Sequence, residues 1–441
     1  MQVRQVICAA LLAGAAFAQD FKIYTEHPRL FLRAQRLRLL QRERERQSLR
    51  WEQFQTLIAG HARMPEPGFA LALYYQVTRE RQAGLEAIQW ALGPGEDLRQ
   101  LALVFDWCQP VLDAEPSRAL AAKLQRRLET TASLKDVAAV RARVLAAAAL
   151  AGHAPKLPEA VIEAAIQQWW RAGLAPALRE GRNAVPRDQH YALLELMHAL
   201  RDNLEVDLAE DARAWFKELP LYQLLRYYPA SYPAPGNEYR VPSGAGAPLD
   251  LERAALSRAA ELAMLAYEPN AVENQYLQGW AMHDRFLLRG AFGIPYEFLW
   301  ANPYHPGLSY HTLPLVLHDK RFGRLYLRSS WDDDAQWAGY ADRRLETFDQ
   351  GEPRTLPLRP GGKPLRIGGA LVLVGSSPMR FNASGEVTAV YVVGLRPGGR
   401  YEVEVDDEEM REELADRGGI LALEFPAGLR GGFNLREFAG R

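Results

Sequence analysis

The feature that most constrains this chain is a change of period. About three hundred residues of helical patterning give way near residue 320 to short strand-like runs between turns. Helices and strands are not interleaved, which excludes a βαβ protein. A large all-α body precedes a smaller all-β part, an α+β arrangement of more than one domain.

In the first part the apolar entry His27-Pro28-Arg29-Leu30-Phe31-Leu32 leads into a helix predicted over 34–59. Further helices are predicted over 69–77, 85–92 and 97–112, with Gly93-Pro94-Gly95 as a clear break. Residues 137–151 are alanine, leucine and valine apart from Arg141 and Arg143, which predicts an inner-layer helix buried nearly all round. Segments 157–172, 188–201, 208–219, 249–267 and 272–290 bring the expectation to at least nine helices. Their short connections make antiparallel neighbours of consecutive helices. The stretch 227–248 carries four prolines between Pro229 and Pro242 and is rich in tyrosine, which excludes helix there and marks a functional loop. Beyond residue 320, strands are predicted over 325–329, 336–340, 370–374, 387–393, 401–405 and 420–425, enough for one small antiparallel β-sandwich. The acidic run 406–417 reads equally as a short helix or a hairpin loop.

Residues 1–18 join a basic Arg4 to an apolar run from Val6 to Phe17 and a small-x-small ending at Ala16-Phe17-Ala18. That is the pattern of a cleavable signal peptide, too short to span a bilayer of about 30 Å as a helix. The expected protein is therefore secreted or periplasmic, without a transmembrane segment after cleavage. Cys8 lies in that leader, leaving Cys108 alone, so neither an intrachain disulfide nor a multi-cysteine metal site is expected. A formal net charge of −1 gives no general attraction to nucleic acid, and the arginines of 29–50 alternate with glutamates as on a solvated helix face.

Three stretches carry a resemblance to a known family: His27-Pro-Arg-Leu-Phe-Leu32 before a basic helix, Phe105-Asp-Trp-Cys108, and Gly323-Arg-Leu-Tyr-Leu-Arg-Ser-Ser-Trp-Asp-Asp-Asp334. With this order of helical and strand-like parts, the chain resembles the heparinase II/III-like and alginate-lyase-like polysaccharide lyases. The resemblance implies an α/α toroid of antiparallel helix pairs over 19–318 and a β-sandwich over 319–441, with no cofactor. It also implies β-elimination on an acidic polysaccharide. That chemistry needs a group to neutralise the uronate carboxylate, a base for the C5 proton and an acid for the departing glycosidic oxygen. A phenol already carries the acid's proton, and can serve as base only if cations hold it.

On the family's pattern, Asn183 neutralises the carboxylate, His190 removes the proton and Tyr239 acts as acid. Asn183 and Arg182 precede a helix that Asp188 can cap, and His190 lies on its first turn. His198 is about 12 Å further on, too far to share a metal with His190. Tyr239 sits in Asn237-Glu238-Tyr239-Arg240 of the proline-rich loop, with Glu238 and Arg240 as substrate contacts and Tyr228 and Tyr232 as platforms for sugar rings. Tyr304 and His305, between two prolines, add polar groups near the junction.

The family's histidine-rich strand is missing: 339–350 carries no histidine, and none follows His318. No metal is expected in the β part. Two alternatives to a lyase follow. One is a non-catalytic carbohydrate-binding or envelope scaffold with a degenerate fold. The other is a glycoside hydrolase, needing carboxylates about 5 to 9.5 Å apart, for which Glu238 with Asp188 or Asp284 is the candidate pair.

Overall fold

The structure is a computed structural model that describes residues 23–24, 26–131, 136–154, 157–182, 185–230, 241–244, 251–284, 290–349, 351–382, 387–406, 409–425, 428–429 and 431–438. The expected leader, Asn183, Tyr232, Glu238, Tyr239 and Arg240 lie outside these residues, as does the side chain of Asp284.

The helices are α1 (Ala34–Glu45), α2 (Leu49–Ala59), α3 (Pro67–Thr78), α4 (Arg81–Leu92), α5 (Leu98–Trp107), α6 (Ala114–Thr130) and α7 (Val137–Leu150). Then come α8 (Leu157–Glu163), which runs through a π-helical segment into α9 (Ala175–Arg179), and α10 (His190–Leu204), α11 (Arg213–Leu225), α12 (Leu251–Tyr267), α13 (Val272–Asp284) and α14 (Gly290–Trp300). Ser48 and Asp97 cap α2 and α5 by accepting from Trp51 N and Gln100 N, satisfying amides that a helix start leaves open. The segment expected over 34–59 divides at that Ser48 cap.

Helices α3, α5, α7, α10, α12 and α14 pack each against the next, and α14 returns to α3. The others lie against this ring, α4 on α3 and α5, α6 on α5 and α7, α13 on α11 and α12. Burial of α7 from Val144 to Leu150 agrees with its composition. Charged groups from several ring helices meet one another. Arg99 of α5 binds Glu195 of α10 through Nη2 at 2.7 Å and Glu66 at 3.1 Å, while Arg141 of α7 and Tyr191 reach Glu195 as well. Burial pushes the Glu195 carboxyl up, but Arg99 and Arg141 outweigh it and hold the group below the usual carboxylate range.

The two sequence landmarks of the first half meet here. Asp106, fully buried, accepts from Arg29 N at 3.0 Å and Leu30 N at 2.8 Å, and its Oδ1 lies 2.6 Å from His27 Nδ1. Trp107 Nε1 donates to Leu30 O at 2.9 Å, and Arg29 Nη1 caps the end of α7 at Ala148 O and Ala151 O.

Among the described residues strands begin at Val316, not with the run after residue 320, and form three sheets. The first is an antiparallel meander of β1 (Val316–Asp319), β2 (Arg324–Arg328), β3 (Trp337–Ala341), β4 (Arg344–Asp349) and β5 (Glu352–Leu356). The second orders β12 (Leu421–Glu424), β9 (Ala389–Val393), β7 (Ala370–Val374) and β6 (Leu365–Ile367). The third orders β11 (Glu409–Leu414), β10 (Arg400–Val405), β13 (Gly432–Glu437) and β8 (Met379–Asn382). Among the described residues all strand pairings are antiparallel except β7 with β9.

The second sheet is central. Val372, Tyr391 and Val393 face Leu325, Leu327 and Tyr340 of the first sheet, whereas Leu371, Leu373, Val390 and Val392 face Val403, Phe433 and Leu435 of the third. Burial on both faces explains the unbroken apolar runs Ala-Leu-Val-Leu-Val374 and Ala-Val-Tyr-Val-Val393. The other face of the first sheet, with Tyr326, Trp331, Trp337 and Phe348, joins the core of the helices. The acidic run expected as helix or loop is a hairpin, since β11 pairs with β10 along its length.

Candidate active site

Between the helices and the first sheet lies a cleft of about 500 Å³. This falls in the range of about 300–1,000 Å³ typical of small-ligand sites. Its lining includes Arg182, Arg187, Asp188, Tyr222, Arg226, Arg253, Arg324, Tyr326 and Asp342. Trp337 Nε1 donates to Leu225 O at 2.7 Å and Tyr228 donates to Glu346, which fastens the C-terminus of α11 to β3 and β4. The two-residue turn Asp342-Arg343, with φ of 50° and 57°, closes the β3–β4 hairpin and brings Asp342 to the cleft wall.

At the seam, each side contributes one tyrosine and one arginine at the spacing natural to its element. Tyr222 and Arg226 are one helical turn apart at the end of α11; Arg324 and Tyr326 are two residues apart on one face of β2. Arg226 Nη1 donates to the Tyr222 oxygen at 2.9 Å, and Nη2 donates to Ser243 O at 2.9 Å. The Arg324 guanidinium is 5.3 Å from the centre of the Tyr222 ring, and the rings of Tyr222 and Tyr326 meet edge to face at 5.8 Å.

Among the described residues, neither Arg226 nor Arg324 forms an ion pair with a carboxylate. Arg187 does, with Glu261 at 3.0 Å, and Tyr227 donates to the same carboxylate at 2.7 Å. Burial pushes the Tyr222 phenol up, but Arg226, Arg324 and Arg187 outweigh it and hold the phenol below its ordinary value. Tyr326 goes the other way, raised chiefly by burial and by the neighbouring Tyr222. The site therefore holds a phenol lowered by its surroundings beside two arginines on the cleft lining that have no carboxylate partner among the described residues.

The expected residues fare differently. Arg182 lines the cleft mouth, held by Glu180. His190 is a correction: it is 2% exposed and both ring nitrogens are engaged, Nε2 donating to Val185 O at 3.0 Å and Nδ1 accepting from Gln223 at 2.7 Å. Burial first, then Arg187, pushes its imidazole down to about 3. A ring so enclosed is a core histidine and does not reach a ligand in the cleft. Tyr228 is also corrected: at 3% exposure it stacks on Phe348 at 4.8 Å and offers no face to a sugar. Tyr304 and His305 pack toward α1, where Arg46 lies over the Tyr304 ring and Arg36 lowers the His305 imidazole after burial; neither is part of the cleft lining. Asp188, the described member of the hydrolase pair, lies on the lining 3.9 Å from Arg253.

Sequence reasoning missed Tyr222, Arg226, Arg324 and Tyr326 as site residues. The available signal was the pair of spacings, Tyr-x-x-x-Arg closing a helix and Arg-x-Tyr opening a strand in the junction motif. Among the described residues no group of three or more His, Cys, Asp or Glu side chains could hold a metal ion, and no helix is long and apolar enough to cross a membrane. No protein-family model matches the chain, and no curated protein matches it.

Proposed function

We propose that this chain is an exported polysaccharide lyase-like protein that cleaves an acidic, uronate-bearing glycan by β-elimination in the seam cleft. In this reading the closed ring of helices is an α/α toroid, the stacked sheets are an elaborated β-sandwich, and residues 1–18 are the export signal to the periplasm or beyond. The observation that carries it is Tyr222, whose oxygen takes a hydrogen bond from Arg226 while Arg324 lies over its ring.

The chemistry follows from the charges. Arg226 and Arg324 receive the uronate carboxylate and spread its negative charge, which makes the C5 proton more acidic. The Tyr222 phenolate takes that proton, the C5–H electron pair becomes the C4–C5 double bond, and the C4–O bond breaks. The departing glycosidic oxygen needs a proton, a role that the family pattern assigns to Tyr239. Tyr222→Phe removes only the reacting oxygen. It should abolish formation of unsaturated uronate while polymer binding, read by calorimetry, stays within about threefold of the parent, a change of less than ~1 kcal/mol.

Non-catalytic binding of an acidic glycan is the second reading, and the enclosure of His190 favours it, because the imidazole the family uses for catalysis is occupied by the protein itself. A variant pair separates the two. If Tyr222→Phe and the parent bind one polymer equally and neither cleaves any, the scaffold is the better description.

A further inference from the structure

A second groove, of about 800 Å³, opens between α2, α3, α4 and the first turn of α5, and it shares no lining residue with the seam cleft. Its volume again suits a small ligand. Trp90, half-buried near the end of α4, packs its six-membered ring against Gly68 of α3 and Gly95 of the Gly93-Pro94-Gly95 break. A side chain on either glycine would run into that ring. The break that ends α4 therefore also seats an aromatic side chain on the groove wall.

Gln100, 6% exposed, supplies what the start of α3 lacks. The side chain of its N-cap residue Glu66 caps nothing there, and Gln100 Oε1 instead accepts from Gly68 N at 3.1 Å and Phe69 N at 3.4 Å. With the oxygen so committed, the Gln100 amide nitrogen has no partner among the described residues, on a side chain that lines the groove. An enclosed donor left unpaired is costly, so this one is matched by an acceptor from outside the protein.

The other polar groups suit hydroxyls. Glu86 accepts from Gln82 at 2.8 Å and Glu80 from the Tyr74 hydroxyl at 3.2 Å, each through one oxygen, which leaves the second oxygen of each for a donor. These two carboxylates stand against Arg63 among the charged lining residues. That balance disfavours a uronate, which the arginines of the seam cleft favour. It suits a ligand whose groups both donate and accept and whose ring has an apolar face for an indole.

We propose that this groove is a second glycan site, selective for a neutral saccharide: a sugar ring packs on the Trp90 indole, the Gln100 amide nitrogen donates to one of its oxygens, and Glu80 and Glu86 accept from its hydroxyls. No bond is made or broken there. The site goes beyond the elimination proposed for the seam and does not depend on it.

Calorimetry of the full chain with neutral gluco-, manno-, galacto- and xylo-oligosaccharides tests this in the parent, Gln100→Glu, Trp90→Ala and Arg324→Gln, with circular dichroism recorded on each. At least one oligosaccharide should bind the parent. Gln100→Glu keeps an acceptor for both α3 amides, at a helix start where negative charge is favourable, and loses only the donor; binding should weaken about tenfold. Trp90→Ala should weaken it by about tenfold or more. Should that variant fail to fold, Trp90→Leu fills more of the space without the flat ring, and the same loss is expected. Arg324→Gln, in the seam cleft, should bind the oligosaccharide as the parent does. Absence of binding to every neutral oligosaccharide, an affinity unmoved in folded Gln100→Glu or in the folded Trp90 variant, or an equal loss in Arg324→Gln overturns the assignment. Neutral binding at this groove without cleavage of any polymer sinks the lyase reading alone, and cleavage without neutral binding sinks the second site alone.

Discussion

The Tyr222 oxygen and Arg226 Nη1 lie 2.9 Å apart, one turn of α11 from each other, at the point where that helix meets the first sheet. A phenol beside a guanidinium is ordinary on a protein surface. Beside two further arginines, in a cleft, it becomes a group whose charge is set by its surroundings.

Cleavage should depend on pH with a definite sign. A base must be deprotonated, and the Tyr222 phenol is held below its ordinary value by cations, so kcat/KM should rise with pH along a limb whose midpoint lies below that of an ordinary tyrosine. Arg226→Gln removes the nearest cation and should shift that rise to higher pH by one unit or more, on the order of 1.4 kcal/mol per unit. An unshifted limb in the variant would show that another group is the base.

Polymer binding should be carried by arginine. Arg324→Gln, at the cleft and without a carboxylate partner among the described residues, should weaken binding of an acidic polymer about tenfold in low salt, with the difference shrinking as salt is added. Calorimetry at two ionic strengths checks this. A neutral polymer bound equally by both proteins serves as control.

His190 yields a prediction about acid stability. Its folded-state value of about 3 lies below the ordinary 6.5, so the unfolded chain takes up the proton first as pH falls. The stability tied to neutral His190 is thus fully present above pH 6.5 and is lost as pH falls toward 3. Denaturant melts across this window should be less steep in His190→Gln by up to about 1.4 kcal/mol per pH unit. An unchanged slope would contradict the enclosed, neutral ring. His198, buried against Trp300 and also lowered, adds to the same acid sensitivity in both proteins.

Two of the three landmarks that carry the resemblance are structural. His27-Pro-Arg-Leu-Phe-Leu32 and Phe105-Asp-Trp-Cys108 meet at Asp106, which gathers two backbone amides and His27 in the interior. Asp106→Asn removes the charge and one acceptor from this buried set, and should cost about 3–5 kcal/mol in chemical denaturation. A loss under 1 kcal/mol would mean that the motif is held by packing around Trp107 instead.

The helical half was legible because its signals are local: α7 announces burial by composition, and Gly93-Pro94-Gly95 ends α4 by backbone chemistry. The strands β7, β9 and β12 were equally plain, being apolar on both faces. Strands β4, β5, β8 and β13 escaped because polar residues such as Glu346, Thr347, Arg380 and Asn434 interrupt the alternation, and only the neighbouring strand supplies their hydrogen bonds. The site was legible in part. Arg182 lies on the cleft lining, but His190 was read as reactive from its position on a first helical turn, and its enclosure depends on Gln223 and Val185, which no spacing rule brings to it. Tyr222 and Tyr326 are more than a hundred residues apart, so their pairing is a product of the fold.

The most direct measurement is incubation of the purified protein with alginate, glycosaminoglycan and pectic polymers while following the ultraviolet absorbance of unsaturated uronate, which elimination produces and hydrolysis does not. The expected result is a rise with at least one acidic polymer that vanishes in Tyr222→Phe. A rise that survives in Tyr222→Phe, or no rise with any polymer that the protein binds, would contradict a lyase centred on Tyr222.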